Sequence, residues 1–302
     1  MPTKPIRPTL LLPLMALISL CVSSCCIIAP STNTAAATSE ESQLINTTAS
    51  ERRGIFIVVH GLNQRPSSME PLCEHLRSQG FDTYRIVLRG HDSLSDTPFS
   101  EDAWVNDIQI AYELVEKQHP KVPIHILAFS LGGLATARAL DISSHISPKS
   151  MIFIAPALSL RAPAQSAYLL QILPPLTISV PNIAPPYYRR FTKTPLFWYR
   201  NTIGLYSATR TLSSPTRLQS IPTLIIANPR DELVSLSGLS EWLSDNNLAP
   251  HWKIEAVRPM RRDPFVPEHL LVDQSSLGVD EWQRFKKLVG EFISALSGTT
   301  QE

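Results

Sequence analysis

The chain has 302 residues, 43% hydrophobic and 18% charged, with a net charge of +1. That length and composition suit a folded α/β protein, and the charge excludes a nucleic-acid binder that works through a large positive field. The four cysteines give neither a disulfide framework nor zinc-ligand spacing: Cys21, Cys25 and Cys26 crowd the N-terminus, and Cys73 in the body reads as a buried helix residue.

Lys4 and Arg7 precede an apolar run from Leu10 to Val22, followed by Ser23, Ser24 and Cys25. The run is too short to cross a hydrocarbon core of ~30 Å, which takes ~20 helical residues. A basic flank, a short apolar core and small residues before a cut site read as an export signal over 1–24. Val22-Ser23-Ser24-Cys25 resembles a bacterial lipobox, which implies lipidation of Cys25 and a membrane-anchored protein of the cell envelope. Cys21 is a second candidate, with Leu20 large where a small residue is wanted. An ordinarily cleaved signal would instead give a secreted or periplasmic protein. The Ser-, Thr- and Ala-rich stretch that follows cannot build a core, so 25–52 is expected to be a lipidated N-terminus and flexible tether.

From Gly54 short apolar runs alternate with longer amphipathic segments. Strands are expected at Ile55–Val59, Thr83–Leu88, Pro123–Ala128, Met151–Ala155, Thr223–Ala227 and Trp252–Val257. Helices are expected at Ser68–Ser78, Glu101–Lys117, Leu131–Leu140, Leu236–Asp245 and Asp280–Leu296, with Ser100 as the cap of the second. Ile108, Ala111, Leu114 and Val115 give that helix one apolar face. Apolar strands separated by helices predict a mostly parallel, doubly wound α/β sheet, with reactive residues at the C-terminal edge of its strands. One interval breaks the rhythm. The stretch 157–221 is rich in proline and aromatic residues (Tyr168, Tyr187, Tyr188, Phe191, Phe197, Trp198, Tyr199) and far exceeds the usual connection of about 2–6 residues. It predicts an inserted cap, leaving 53–156 and 222–298 as the core.

The chemistry centres on Ala128-Phe129-Ser130-Leu131-Gly132, where an apolar strand turns through a serine into a helix. Such a turn exposes a hydroxyl that a neighbouring base can activate, and it approximates the Gly-x-Ser-x-Gly pattern with Ala128 at the first position. His60-Gly61-Leu62 ends an earlier strand, so the backbone N–H groups of Leu62 and Leu131 are candidates for an oxyanion hole, with His60 shaping the loop.

Three motifs in order, His60-Gly61-Leu62, Arg89-Gly90-His91-Asp92-Ser93 and Phe129-Ser130-Leu131-Gly132-Gly133, resemble the monoglyceride lipase-like branch of the α/β-hydrolase superfamily. The resemblance spans 54–296, interrupted by the cap. Asp92 stands where that branch usually has a second Gly in the middle motif, and Ser95 lies near for its usual serine. The resemblance implies an α/β-hydrolase fold with the cap between the sixth and seventh strands, and a catalytic order of Ser, acid, His. Asp231 is the first carboxylate after Asp141 and follows the strand Thr223–Ala227, with Glu232 its neighbouring competitor. His269 follows the last strand, whereas His251 precedes it and would emerge at the wrong edge. Ser130, Asp231 and His269 are thus the expected nucleophile, acid and base of an ester-cleaving serine hydrolase, lipase- or lysophospholipase-like, needing no metal or organic cofactor.

Related serine aminopeptidases share these motifs and a cap in the same place, which leaves a peptidase or amidase open. A catalytically silent surface lipoprotein acting as a binding module is the third reading. Between Asp141 and Asp231 the sequence has no acid but carries Arg161, Arg189, Arg190, Lys193 and other basic residues. The cap is therefore expected either to face anionic lipid, chiefly through Arg189 and Arg190, or to present an ordinary solvated basic surface.

Overall fold

The computed structural model describes residues 41–298 apart from 50, 94–96, 166–177, 261, 262 and 264. The export signal, Cys21, Cys25 and Cys26 lie outside the described residues, as do Ser95 and Tyr168. No helix among the described residues is long and apolar enough to cross a membrane.

The strands are β1 (Gln43–Ile45), β2 (Gly54–Val59), β3 (Phe81–Arg85), β4 (Ile124–Phe129), β5 (Met151–Ile154), β6 (Ser179–Pro181), β7 (Lys193–Pro195), β8 (Thr223–Ala227) and β9 (Trp252–Ala256). The helices are α1 (Glu70–Ser78), α2 (Asp102–Gln118), α3 (Leu131–Ile142), α4 (Ala162–Gln165), α5 (Leu196–Thr209), α6 (Pro215–Gln219), α7 (Leu236–Asp245), α8 (Gln274–Leu277) and α9 (Val279–Gly298). Among the described residues seven strands form one sheet in the order β1-β3-β2-β4-β5-β8-β9. Every pairing in it is parallel except that of β1 with β3.

Successive side chains on a strand point to opposite faces, so continuous apolar strands build two cores. Ile55, Ile57, Val59, Ile126 and Ala128 pack with α2 and α3, while Phe56, Val58, Leu127 and Phe129 pack with α1 and α9. This double burial is what the unbroken apolar runs require.

Several expectations are corrected. The tether does not run to residue 52: Leu44 pairs with Tyr84 in β1, Thr47 N–H donates to Asp82 Oδ1 (2.7 Å), and Arg52 meets the buried Asp82 carboxylate at 2.7 Å. A buried carboxylate at the sheet edge needs such partners, which composition alone did not reveal. Ser100 is no side-chain cap; α2 starts after Glu101 without one, and Ser100 contributes only its carbonyl, to Ala103 N–H (3.1 Å). On α2 the buried face runs through Trp104, Ile108, Ala111 and Val115, while Leu114 is 37% exposed. β3 starts two residues and ends three residues earlier than Thr83–Leu88, because its register with β2 runs from Phe81 to Arg85.

Counted along the chain among the described residues, the insertion sits between the fifth and sixth strands of the sheet, where the sequence placed it between the sixth and seventh. Its second half is not a roof. In α5, Phe197, Trp198, Ile203 and Leu205 are buried in the core on the α3 side, joined by Leu212 and Leu218. Before α5 the described residues of the insertion include the small antiparallel β6–β7 pair.

Candidate active site

Parallel strands deliver the reactive residues to one edge of the sheet. β4 ends at Phe129, and Ser130 turns into α3 with φ 51° and ψ −115°. A non-glycine residue rarely adopts positive φ, so neighbours must hold it: Ser130 N–H donates to Ile154 O (3.0 Å), and Ser130 O accepts from Ala157 N–H (3.1 Å) and Leu134 N–H (3.2 Å). Ala128 is fully buried, so its methyl is accommodated at the motif's first position. Gly132 is obligatory in a different sense. A Cβ there would lie 2.7 Å from His60 O and 2.8 Å from Val59 O, so the start of α3 rests directly on the end of β2.

Ser130 Oγ lies 2.7 Å from His269 Nε2, and His269 Nδ1 lies 2.7 Å from Asp231 Oδ2. His269 and Asp231 are both buried. Asp231 Oδ1 accepts the backbone N–H groups of Leu233 (2.8 Å) and Val234 (2.9 Å). Burial by itself would raise the Asp231 pKa, but the charge and hydrogen bond of His269 and these two N–H donors outweigh it, leaving the pKa lowered. Burial likewise disfavours the imidazolium, yet the Asp231 carboxylate prevails and raises the His269 pKa. The arrangement can therefore accept the serine proton at Nε2 and stabilise the resulting charge.

Glu232 takes another post. Its Oε2 accepts the backbone N–H of His269 (3.1 Å) instead of bonding the ring. His251 precedes β9 and has no contact with this cluster, its N–H donating to Leu248 O (2.9 Å). Arg161 braces the acid loop through the carbonyls of Asp231 and Pro229. Asn228 Nδ2 does the same for the base loop, donating to Glu268 O (3.0 Å) and Glu268 Oε2 (2.7 Å). Neither brace was legible beforehand; Arg161 entered only as one basic residue among many.

His60 is fully buried and shapes the loop as follows. Leu88 N–H donates to its Nε2 (3.1 Å), which leaves the proton on Nδ1 to donate to Gly61 O (2.8 Å). Burial lowers its pKa to about 4, so the ring stays neutral. Gly61 C=O and Leu62 N–H are opposite ends of one planar trans peptide. Holding that carbonyl on His60 and on Gln64 N–H (3.2 Å) therefore aims the Leu62 N–H the other way. Neither Leu62 N–H nor Leu131 N–H has an acceptor among the described residues, and the contact of Gly132 with His60 sets their two loops side by side. Leu131 also opens α3, where orphan N–H groups favour negative charge.

Asp92 is not among the residues that hold a positive φ. Gly90 carries the demanding geometry, with φ 84° and Trp198 Cζ2 2.8 Å from where its Cβ would be. Arg190, expected to face lipid, is buried and donates to His91 O (2.8 Å) and Asp92 O (2.7 Å). Arg189 is half-buried and donates to Asn182 O (2.7 Å). Arg190 is thus structural, because a guanidinium removed from water binds the main-chain carbonyls that the loop leaves open.

Residues 50–246 match the family model described as serine aminopeptidase, S33. The chain belongs to that family. The match takes in Ser130 and Asp231 and stops before His269, which the fold brings to them. A search of curated proteins finds no match. Among solved structures, a soluble variant of monoglyceride lipase from Saccharomyces cerevisiae has a TM-score of 0.65 at 14% identity, covering 89% of this chain and 99% of that one. A monoacylglycerol lipase from Paleococcus ferrophilus gives 0.61 at 15% identity, covering 85% and 100%. Est1E from Butyrivibrio proteoclasticus gives 0.56 at 17%, covering 85% and 94%. At these identities the likeness establishes the α/β-hydrolase fold.

Proposed function

We propose that this family member is a serine hydrolase that cleaves carboxylic esters through an acyl-enzyme on Ser130. The carrying observation is the unbroken chain Ser130 Oγ–His269–Asp231, each link 2.7 Å. In this reading His269 Nε2 takes the hydroxyl proton as Ser130 attacks the substrate carbonyl. Leu62 and Leu131 N–H receive the oxyanion, and His269 returns the proton to the leaving alcohol. Water then repeats the sequence in reverse to free the acid.

Two features favour an ester with an apolar acyl chain, such as a monoacylglycerol or lysophospholipid. The structures it resembles include monoglyceride and monoacylglycerol lipases. The insertion also lacks any Asp or Glu that would hold a substrate's α-ammonium. The family's description as aminopeptidase and the Glu232 carboxylate beside His269 favour an amide reading instead. Fluorophosphonate labelling that disappears in Ser130→Ala is expected; an unlabelled wild type would leave a binding module. Faster turnover of p-nitrophenyl esters than of amino-acid p-nitroanilides is expected, and the reverse order would give the amide reading precedence.

The same proposal places the enzyme at a bacterial envelope membrane, anchored through lipid on Cys25. More than one acyl chain is needed for stable anchoring. Radiolabelled palmitate should be incorporated by the wild type and lost in Cys25→Ala; retention of label in that variant would remove this site.

A further inference from the structure

Asn63, directly after Leu62, is 2% exposed and holds φ at 46°. Asn tolerates that conformation better than most residues, but it still has to be held there. Its amide is spent on the insertion. Oδ1 accepts Phe191 N–H (2.8 Å), while Nδ2 faces Thr194 Oγ1 (2.6 Å), Phe191 O (3.2 Å) and Lys193 O (3.2 Å). Its backbone joins in, since Asn63 O accepts Arg190 N–H (2.9 Å) and Asn63 N–H donates to His91 Nε2 (2.9 Å). The next two residues continue the seam. Gln64 bridges Arg189, and Arg65 N–H donates to Tyr188 O (2.7 Å).

The partners are themselves anchored. His91 stacks on Trp198 of α5 with ring centroids 4.5 Å apart, and Arg190 returns to the carbonyls of His91 and Asp92. At the other end, Tyr188 OH donates to Asp273 at 2.9 Å, and Asp273 caps α8 just beyond His269. Residues 188–194 therefore run as a strap from the loop carrying Leu62 to the loop carrying the base.

We propose that Asn63 is a positioning residue for the oxyanion hole: it clamps the strap 188–194 to the loop and so fixes where the Leu62 N–H points. The inference rests on the hydrolase reading above. The Leu62–Asn63 peptide is pinned by Asn63 N–H on His91, and the Gly61–Leu62 peptide by Gly61 O on His60. With both planes fixed, Leu62 has little rotation left, and the Asn63 amide ties this short arch to the rest of the molecule. A hydrogen-bond donor aimed at developing charge accelerates the reaction only if it is already in place when the charge appears.

The deciding variant is Asn63→Gly, because Gly keeps the positive φ and removes only the amide. Wild type and variant are compared on p-nitrophenyl butyrate and on two inhibitors of matching chain length. One is a trifluoromethyl ketone, whose adduct on Ser130 carries an anionic oxygen; the other is the corresponding alcohol, which carries none. The expected result is a fall in kcat of about 10- to 100-fold with KM within about three-fold, an equal loss of ketone affinity, and unchanged alcohol affinity. A raised KM with kcat retained, or unchanged ketone affinity, would overturn the proposal by making Asn63 a mere support for the cap.

Thr194→Val gives a second route if Asn63→Gly does not fold, since it withdraws only the 2.6 Å acceptor from Nδ2. The same pattern is then expected at about 3- to 10-fold. A wild type that neither turns over ester nor labels would sink the hydrolase reading alone. Amide hydrogen exchange over residues 61–65 then decides the clamp: faster exchange in either variant supports it, and unchanged exchange refutes it.

Discussion

Asp231→Asn is nearly isosteric, and the structure dictates how the amide will sit. Asp231 Oδ1 accepts two backbone N–H groups, from Leu233 and Val234, while Oδ2 faces His269 Nδ1. An amide keeps both backbone bonds only by placing its oxygen there, which turns its NH2 toward Nδ1. His269 must then accept at Nδ1 and carry its proton on Nε2, the atom 2.7 Å from Ser130 Oγ. A protonated Nε2 cannot take the hydroxyl proton. The same misplacement of a tautomer in serine proteases costs about 10^4-fold in kcat, or about 5 kcal/mol of barrier. We expect that loss here on p-nitrophenyl butyrate, with the folded state retained because the two backbone bonds survive. A kcat within ten-fold of the wild type would refute the reasoning and show that Asp231 does not set the tautomer.

Gly132→Ala would force a methyl within 2.7–2.8 Å of the backbone oxygens of Val59 and His60 at the end of β2, and overpacking against backbone costs about 1–3 kcal/mol or more. A lowered Tm together with lost activity is expected; an unchanged Tm would mean that α3 and β2 can separate freely. His60 and His125 are held neutral by burial, each with its pKa lowered to about 4, whereas an unfolded histidine titrates near 6.5. Their contribution is complete above about pH 6.5 and fades as the pH falls toward 4, by about 3 kcal/mol each, so the urea midpoint should drop over that window. A flat midpoint there would contradict the burial argument. Cys73 is 1% exposed and burial pushes its thiol up to about 12. At about pH 8 it should resist a disulfide-exchange reagent in the native protein and react at once in guanidinium, and rapid native labelling would show that α1 opens.

The core strands were legible because β2, β4, β5 and β8 are buried on both faces and so carry unbroken apolar runs. Ser130 could be read from the strand that ends at Phe129, and Asp231 and His269 from the order that the family resemblance implies, each on a loop that follows a parallel strand, β8 or β9. The insertion was recognisable as an interruption, but its division was not. Phe197 and Trp198 looked like parts of an apolar roof, and they became core only because α5 docks on α3. Basic residues gave the same difficulty. A sequence shows charge without partners, and Arg190 reads as a surface cation until the carbonyls of His91 and Asp92 are found around it.

What the sequence by itself determined is the sheet, its parallel sense and the turn that presents Ser130. These follow from local patterning, namely apolar run length and a serine placed where a strand turns into a helix, while the order of acid and base came from the family resemblance. Only the tertiary structure decided that Asp231 and not Glu232 bonds the imidazole, and that Asn63 ties the Leu62 loop to residues 188–194. The physical reason is directional. Hydrophobic burial depends on which residues are apolar and is therefore written along the chain, whereas a hydrogen bond depends on angle and distance between residues far apart in it.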